Sequence, residues 1–147
     1  MPSAIKVEMI PITEIADELL KFAVIACRHQ GQWVYCRHKE RSTWEIPGGR
    51  REANETILET AGRELYEETG ATEFDLQPLC VYYVEREQTD RSYGLLCYAD
   101  IKSLGALPES EIEQIQLVGG LPEALTYPLI QPHLYAKVQS WLGEEGL

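Results

Sequence analysis

The sequence predicts an α/β fold in which a mixed β-sheet lies between two helices, arranged as an α/β/α sandwich. Three observations support this prediction. Apolar runs typical of strands fill the middle of the chain, a stretch with helical periodicity covers residues 54–69, and a second amphipathic helix begins near Pro132. At 147 residues, without internal repeats, the sequence fits one domain over residues 1–147.

The first third of the chain predicts strands and a tight turn. The segment "AIKVEMI" is typical of a strand, and "KFAVIACRHQGQWVYCRHK" contains two apolar runs around residues 29–32, a pattern that favours a hairpin. After the short segment "TWEI", the residues Pro47, Gly48 and Gly49 predict a turn.

A helix is predicted over residues 54–69, where the period of the apolar residues changes to helical. The apolar positions are Ile57, Leu58, Ala61 and Leu65. Asn54 is the predicted N-cap, Glu55 suits the positive end of the helix dipole, and Gly70 fits the position just past the C-terminus.

The remaining segments predict three strands and the final helix. The runs "FDLQPLCVYYVERE" and "SYGLLCYADI" are expected to pair as a hairpin around a connection that contains Thr89, Asp90 and Arg91. The run "IEQIQLV" alternates like a short strand. The helix after Pro132 is expected to dock on the sheet through an apolar face. That face consists of Leu134, Val138, Trp141 and Leu142.

Charge and cysteine content restrict the partners. A formal net charge of −11 argues against long DNA or RNA, whose binding depends on Lys and Arg replacing phosphate counterions. A small phosphorylated ligand remains compatible when a divalent cation carries the positive charge. The cysteines show no metal-binding spacing, so zinc is not expected, and we expect buried free thiols in a reducing compartment. They are Cys27, Cys36, Cys80 and Cys97.

No membrane association is expected from the sequence. The N-terminal residues lack the pattern of a signal peptide, and the apolar run "FAVIAC" is far too short to span a bilayer. We therefore expect a cytoplasmic protein, and the sequence does not indicate its oligomeric state.

The segment "RELYEETG" at residues 63–70 places Glu64, Glu67 and Glu68 on neighbouring positions of the predicted helix. Like charges at this spacing repel by about 0.2–0.5 kcal/mol per pair. One interpretation is a solvated acidic face, which is the common explanation of a charge run. The other is a site for a hard cation such as Mg²⁺, or Mn²⁺ in its place, on which the carboxylates converge.

The wider spacing decides between these interpretations. Gly49, Glu55, Arg63 and Gly70 stand at fixed distances around the acidic segment, and residues 49–71 read "GRREANETILETAGRELYEETGA". This stretch resembles the Nudix box of the Nudix hydrolases. Ala71 departs slightly from the pattern, because the family usually has a larger aliphatic residue there.

The resemblance implies a Nudix-type α/β/α sandwich and metal-assisted attack of water on a phosphorus of a nucleoside diphosphate linked to another group. It implies metal binding through Glu64, Glu67, Glu68 and the Gly48 carbonyl. It also makes Arg63 and Glu55 orienting partners of the glutamates, with Gly49 and Gly70 as structural glycines. Glu64 is the first candidate for the general base, and the loop residue Glu111 is the second.

For the substrate, "TYPLIQP" at residues 126–132 resembles the turn that mutator-type triphosphatases place beside a purine. Gln131 could present an amide to the base, and Tyr127 or Tyr83 could stack on it. The leading hypothesis is therefore a nucleoside triphosphate pyrophosphohydrolase, with 8-oxo-dGTP as an example of an oxidised purine substrate. The alternatives are cleavage of RNA 5′ ends or of another nucleoside diphosphate derivative, and a nucleotide-binding module without catalysis.

Overall fold

A seven-stranded mixed sheet runs through the structure, a computed structural model that describes residues 5–86 and 90–144. Its strands are β1 (Ile5–Ile10), β2 (Leu20–His29), β3 (Gln32–His38), β4 (Gly48–Arg50), β5 (Ala71–Arg86), β6 (Asp90–Leu104) and β7 (Ile112–Val118). The helices are α1 (Ile57–Thr69) and α2 (Gln131–Glu144). The strand order is β1-β5-β6-β2-β3-β7, with β4 paired to β2 off this path. β2 and β6 are parallel, and the other pairs are antiparallel.

The two helices cover opposite faces of the sheet, because each belongs to a different cluster of buried side chains. α1 contributes Ile57, Ala61 and Leu65 to the first cluster. α2 contributes Leu134, Val138 and Leu142 to the second cluster. The predicted α/β/α sandwich with a mixed sheet is confirmed, as is the docking of the final helix. Leu58 does not belong to the packed stripe, since 44% of its surface is exposed.

The predicted hairpin between the first two long strands is confirmed. Gln30 and Gly31 form its two-residue turn, and both have positive φ angles, of 52° and 82°. This is the conformation that matches the twist of the flanking strands. Glycine adopts a positive φ angle without steric strain because it has no Cβ atom.

The turn predicted at Pro47–Gly49 is wrong in detail, because Gly48 and Gly49 lie in strand β4. Gly48 is opposite Val24 and Gly49 opposite Ala23 in β2. The carbonyl of Pro47 accepts a hydrogen bond from the Ile25 N–H at 2.8 Å. The β2 backbone therefore gives this glycine-rich segment the partners of an extended strand.

Helix α1 begins later than predicted. Thr56, not Asn54, is the N-cap: its hydroxyl accepts the Glu59 N–H, and the Glu59 side chain accepts the Thr56 N–H. This reciprocal capping box prevails over Asn54, which adopts a left-handed conformation with φ of 65°. At the other end, Gly70 follows the helix with φ of 83°, as predicted.

The second half of the chain agrees with the predicted elements. β5 and β6 pair as a hairpin, β7 covers the predicted run, and α2 begins one residue before Pro132. Asp90 and Arg91 lie in β6, whereas Thr89 falls outside the described residues. All four cysteines are buried and free. No helix in the described part of the chain has the length and apolar character needed to cross a membrane.

Candidate active site

Strand β4 places two glycines against the acidic face of α1. The Gly48 N–H donates to Oε1 of Glu68 at 2.9 Å. At Gly49, an added Cβ atom would lie 1.8 Å from Oε2 of Glu64, so only glycine lets this carboxylate approach the strand. The two glycines therefore fix how closely α1 and β4 pack at the predicted site.

Arg63 organises the carboxylates around it. Its guanidinium binds Glu55 through two bonds, Nε to Oε2 at 2.6 Å and Nη2 to Oε1 at 3.0 Å. Nη1 donates to Oε1 of Glu64 at 2.6 Å, and Nη2 also donates to the Arg50 carbonyl at 3.0 Å. Glu55 lies just before α1 and not on it, which corrects its predicted position. The bidentate pair ties the loop between β4 and α1 to the helix.

Burial and neighbouring charges separate the pKa values of these carboxylates. Hydrogen bonds from Arg63 and then Thr60 lower the pKa of Glu55 to about 2. Burial raises the pKa of Glu64 to about 7, despite Arg63, and that of Glu68 to about 8, despite the Gly48 N–H. The half-buried carboxyl groups of Glu64 and Glu68 are therefore costly to ionise in the absence of further positive charge.

The three box glutamates have different partners in this structure. Within residues 5–86 and 90–144, no group of three or more His, Cys, Asp or Glu side chains has the arrangement of a metal site. Glu64 turns to Arg63, Glu68 turns to the Gly48 N–H, and 45% of the Glu67 side chain is exposed. As a donor set, carboxylate oxygens fit the chemistry of a hard divalent cation, whose charge would offset the cost of ionising Glu64 and Glu68.

A cavity of about 580 Å³ lies next to this site, on the α2 side of the sheet. Gly48 and Gly49 line it, so β4 forms a wall shared by the cavity and the α1 carboxylates. Its apolar lining includes Phe22, Val24, Ile46, Tyr82, Val84 and Leu134. Its cationic lining consists of Lys21, Arg50, Arg86 and Arg91. One acid, Glu45, also lines the cavity and Arg91 is paired with Glu85 at 2.8 Å, so the balance of the lining is positive, which suits an anionic ligand.

The structure separates the predicted substrate-binding residues. Gln131 is buried in the cavity lining, and its Oε1 accepts the Ile46 N–H at 2.9 Å. Tyr127 also lines the cavity and is partly exposed. Tyr83 does not belong to that lining; it packs edge-on against Tyr93, beneath the Arg91 guanidinium. Its neighbour Tyr82 takes the place beside the cavity, because successive strand residues face opposite sides of a sheet.

The Glu111 side chain is 87% exposed and contacts His38, with 3.8 Å between Nδ1 and Oε2. It lines a second cavity of about 490 Å³ together with His38, Lys39, Glu40, Arg41 and Ser110. Ser110 anchors this loop to the helix, since its hydroxyl donates to the Glu67 carbonyl at 3.3 Å. The contact between this loop and the C-terminal half of α1 is therefore made by Ser110, the residue before Glu111.

Glu45 and His38 were not found from the sequence. Glu45 is buried, lines the main cavity, and accepts contacts at Oε1 from His38 Nε2 at 3.1 Å and Arg41 Nη1 at 3.3 Å. A signal was present, because Glu45 is an acid between Trp44 and Ile46, directly before the Pro-Gly-Gly segment.

Comparison with known proteins identifies the fold. The NUDIX domain profile matches residues 18–135. A Bacillus subtilis (strain 168) protein named as a provisional 8-oxo-dGTP diphosphatase, YtkD, is 41% identical over 64 residues, 44% of this chain and 40% of that protein. An RNA pyrophosphohydrolase of Edwardsiella ictaluri (strain 93-146) is 34% identical over 56 residues, 38% of this chain and 32% of that protein. The chain thus matches less than half the length of both curated relatives.

Among solved structures, the fold is similar to that of the Bacillus subtilis pyrophosphohydrolase BsRppH. The two have a TM-score of 0.75 and 25% sequence identity, and the match covers 92% of this chain and 90% of the other.

Proposed function

This chain belongs to the NUDIX domain family, and from that premise we propose that it is a single-domain, divalent-metal-dependent pyrophosphohydrolase. Its proposed reaction converts a nucleoside triphosphate to the monophosphate and pyrophosphate, with an oxidised purine nucleotide such as 8-oxo-dGTP as the candidate substrate. The similarity to a protein named as an 8-oxo-dGTP diphosphatase supports this choice. The buried free thiols are consistent with the cytoplasmic location that we propose.

One observation carries the proposal: β4 is shared by an acidic helix face and a cationic cavity. Gly48 binds Glu68 on one side of the strand, while Gly48 and Gly49 line the cavity on the other. A nucleotide held in the cavity would therefore bring its phosphates toward the carboxylates of α1. This juxtaposition suits hydrolysis of a phosphoric anhydride.

We assign metal binding to Glu64, Glu67, Glu68 and the Gly48 carbonyl. When bound, Mg²⁺ or Mn²⁺ neutralises charge on the pyrophosphate and lowers the pKa of water. Arg63 orients Glu64 through the 2.6 Å hydrogen bond from Nη1 and is itself held by Glu55. Gly49 leaves the space that the Glu64 carboxylate occupies.

The structure favours Glu64 over Glu111 as the general base. The Glu64 side chain is only 12% exposed and lies beside the other carboxylates of α1, within hydrogen-bond reach of Arg63. Glu111 is exposed and contacts His38 instead. As a base it would have to act from the loop beside the second cavity.

Gln131 is the proposed base-reading residue. Because its Oε1 accepts a backbone N–H, the other amide atom is the NH₂ group. A hydrogen-bond donor is thus available for an acceptor on a purine edge. Tyr127 and Tyr82 provide aromatic surface in the same cavity.

Hydrolysis of RNA 5′ ends is the second candidate. The cationic residues at the cavity favour it, since they offer the local positive charge that the overall charge of −11 lacks. The similarity to an RNA pyrophosphohydrolase points the same way.

A substrate panel with product analysis tests the proposal. Turnover of 8-oxo-dGTP, dGTP and a 5′-triphosphorylated RNA oligomer is compared with Mg²⁺, and products are identified as monophosphate with pyrophosphate or otherwise. We expect fastest turnover of a free nucleotide. Faster processing of the RNA would replace the first candidate with the second, and absence of hydrolysis across the panel would favour a nucleotide-binding module.

A further inference from the structure

Glu45 is a buried charge that the box does not explain. Among residues 5–86 and 90–144, the buried polar residues are Glu45, Thr60, Thr69 and Gln131. The two threonines bond to helix carbonyls, and Gln131 bonds to Ile46. Glu45 alone of these carries a formal charge, and burying a carboxylate is costly unless partners compensate it. His38 and Arg41 are those partners.

Strand β3 brings His38 to Glu45. Cys36 and Glu45 pair through two backbone hydrogen bonds of 2.9 Å, which place Glu45 beside the end of the strand. His38 lies two residues after Cys36, beyond an irregularity in the β3–β7 pairing, and its Nε2 lies 3.1 Å from Oε1 of Glu45. The Cys36 thiol approaches Oε1 of Glu68 at 3.8 Å. The Glu45 and His38 pair thus lies next to a box carboxylate.

The second nitrogen of His38 faces the loop that carries Glu111. Its Nδ1 lies 3.8 Å from Oε2 of Glu111, which is an electrostatic contact longer than a hydrogen bond. The same loop is held by the Lys39 N–H, which donates to the Glu111 carbonyl at 2.9 Å, and by Ser110 on the Glu67 carbonyl. One imidazole therefore lies between a buried carboxylate in the cavity wall and an exposed one on the loop.

We propose that His38 is a positioning residue that joins Glu45 to Glu111 and thereby fixes the loop at residues 105–111 beside the C-terminal half of α1. Its effect on catalysis rests on the proposed pyrophosphohydrolase function. In that reaction, the loop position determines how Glu111 and Ser110 are presented to the carboxylates of α1.

The first test measures the loop directly and does not depend on activity. Backbone amide exchange is followed at Lys39 and Ile112, whose N–H groups bond to Glu111 and Ser110. We expect His38→Ala to accelerate exchange at both by about 10-fold or more, because a local anchor of the loop is lost. His38→Gln, which retains a donor for Glu45, should restore most of the protection. Unchanged exchange in a folded His38→Ala variant would overturn the proposal.

The second test uses turnover. His38→Ala should lower kcat by about 10-fold, as supporting partners of a site typically do, with KM changed by less than about 3-fold. Glu111→Gln should reduce kcat in the wild-type background. It should reduce kcat little further in His38→Ala, because both substitutions remove the same contact between His38 and Glu111. Glu113→Gln, an exposed acid two residues further on, is the matched control. Additive effects of the two substitutions would contradict the coupling.

The two tests separate the two proposals. If the wild-type protein hydrolyses no nucleotide, the proposed function fails, while exchange at Lys39 and Ile112 still decides whether His38 fixes the loop.

Discussion

The acidic face of α1 and the cavity on the other side of β4 are built in different ways. On α1, the Arg63 guanidinium holds Glu55 and Glu64 with hydrogen bonds as short as 2.6 Å, all within one continuous stretch of chain. The cavity is lined by residues from Leu19 to Leu134, drawn from strands, loops and α2. Chemistry is thus concentrated in a local unit, whereas recognition depends on the assembled fold.

This difference implies that the two regions should respond differently to substitution. Changes on the α1 face should affect turnover while leaving affinity for the nucleotide nearly intact. Changes in the cavity should alter KM and the preference among substrates. A substitution on the α1 face that changes KM, or one in the cavity that changes kcat, would show that the two regions act as one site.

The largest effect is expected from Glu67→Gln. Because 45% of this side chain is exposed, the fold should persist, but a negative ligand charge is lost. We expect kcat to fall by about 10²–10³-fold, the range seen when one electrostatic contribution to a transition state is removed. Glu123→Gln, a change at an exposed loop acid, is the control. Near-normal turnover at saturating Mg²⁺ would contradict the role of Glu67.

Gly49→Ala should have the next largest effect. The three atoms nearest to the new Cβ all belong to the Glu64 side chain, so we expect the carboxylate to move and the backbone to stay in place. A shift of about 1 Å can cost about 10²-fold in rate, and we expect a loss of that order in kcat with little change in Tm.

Gly62→Ala is the matched control for Gly49→Ala. The added Cβ at this position in α1 would meet only Phe74, at 3.9 Å. It should preserve activity and raise stability by about 0.5–1 kcal/mol through helix propensity. Equal kinetics for the two alanine variants would show that the position of Glu64 is unimportant.

The sequence predicted the α1 face better than the cavity for the same reason. Glu55, Arg63 and Glu64 lie within one short segment that resembles the Nudix box, and that resemblance implied the pairing of Arg63 with glutamates. Glu45 and His38 meet only because β3 pairs with the segment before β4. A repeat pattern within a short segment of the sequence cannot predict a contact that depends on this pairing.

Two smaller errors have equally specific causes. Asn54 is a good N-cap by residue type, but Thr56 and Glu59 form a reciprocal box that starts the helix later. Tyr83 was predicted to stack on the base, whereas Tyr82 lines the cavity, because in a strand a shift of one residue moves a side chain to the other face. Residue type was therefore informative in both cases, whereas exact position required the tertiary structure.

In the cavity, Gln131→Glu should change recognition without removing a structural bond. The substituted side chain keeps an oxygen for the Ile46 N–H, but it replaces the NH₂ donor with an acceptor. We expect KM for a purine nucleoside triphosphate to rise about 10-fold, the equivalent of one hydrogen bond, with kcat little changed. Both variants should lower Tm, Gln131→Glu because it buries a carboxylate and Gln131→Leu because it leaves the Ile46 N–H unsatisfied. An unchanged KM in Gln131→Glu would remove Gln131 from base recognition.

The smallest effect is a dependence of metal-free stability on pH. Burial raises the pKa values of Glu64 and Glu68 from 4.5 to about 7 and about 8. Between about pH 4.5 and pH 8 the folded state therefore binds more protons than the unfolded state. The free energy of unfolding falls as pH rises through this range. In EDTA we therefore expect a lower Tm at pH 8.5 than at pH 5.5. Mg²⁺ should raise Tm more at the higher pH, because its ligands must be deprotonated.

Glu68→Gln isolates this contribution, since glutamine keeps an oxygen for the Gly48 N–H but cannot ionise. In this variant the fall in Tm between pH 5.5 and pH 8.5 should shrink, and part of the stabilisation by Mg²⁺ should be lost. Glu123→Gln should retain the wild-type slope. If Tm falls equally between pH 5.5 and pH 8.5 in the wild type and both variants, the Glu68 carboxyl group is not the source of the pH dependence. The charges of the α1 face would then not reduce the stability of the metal-free protein.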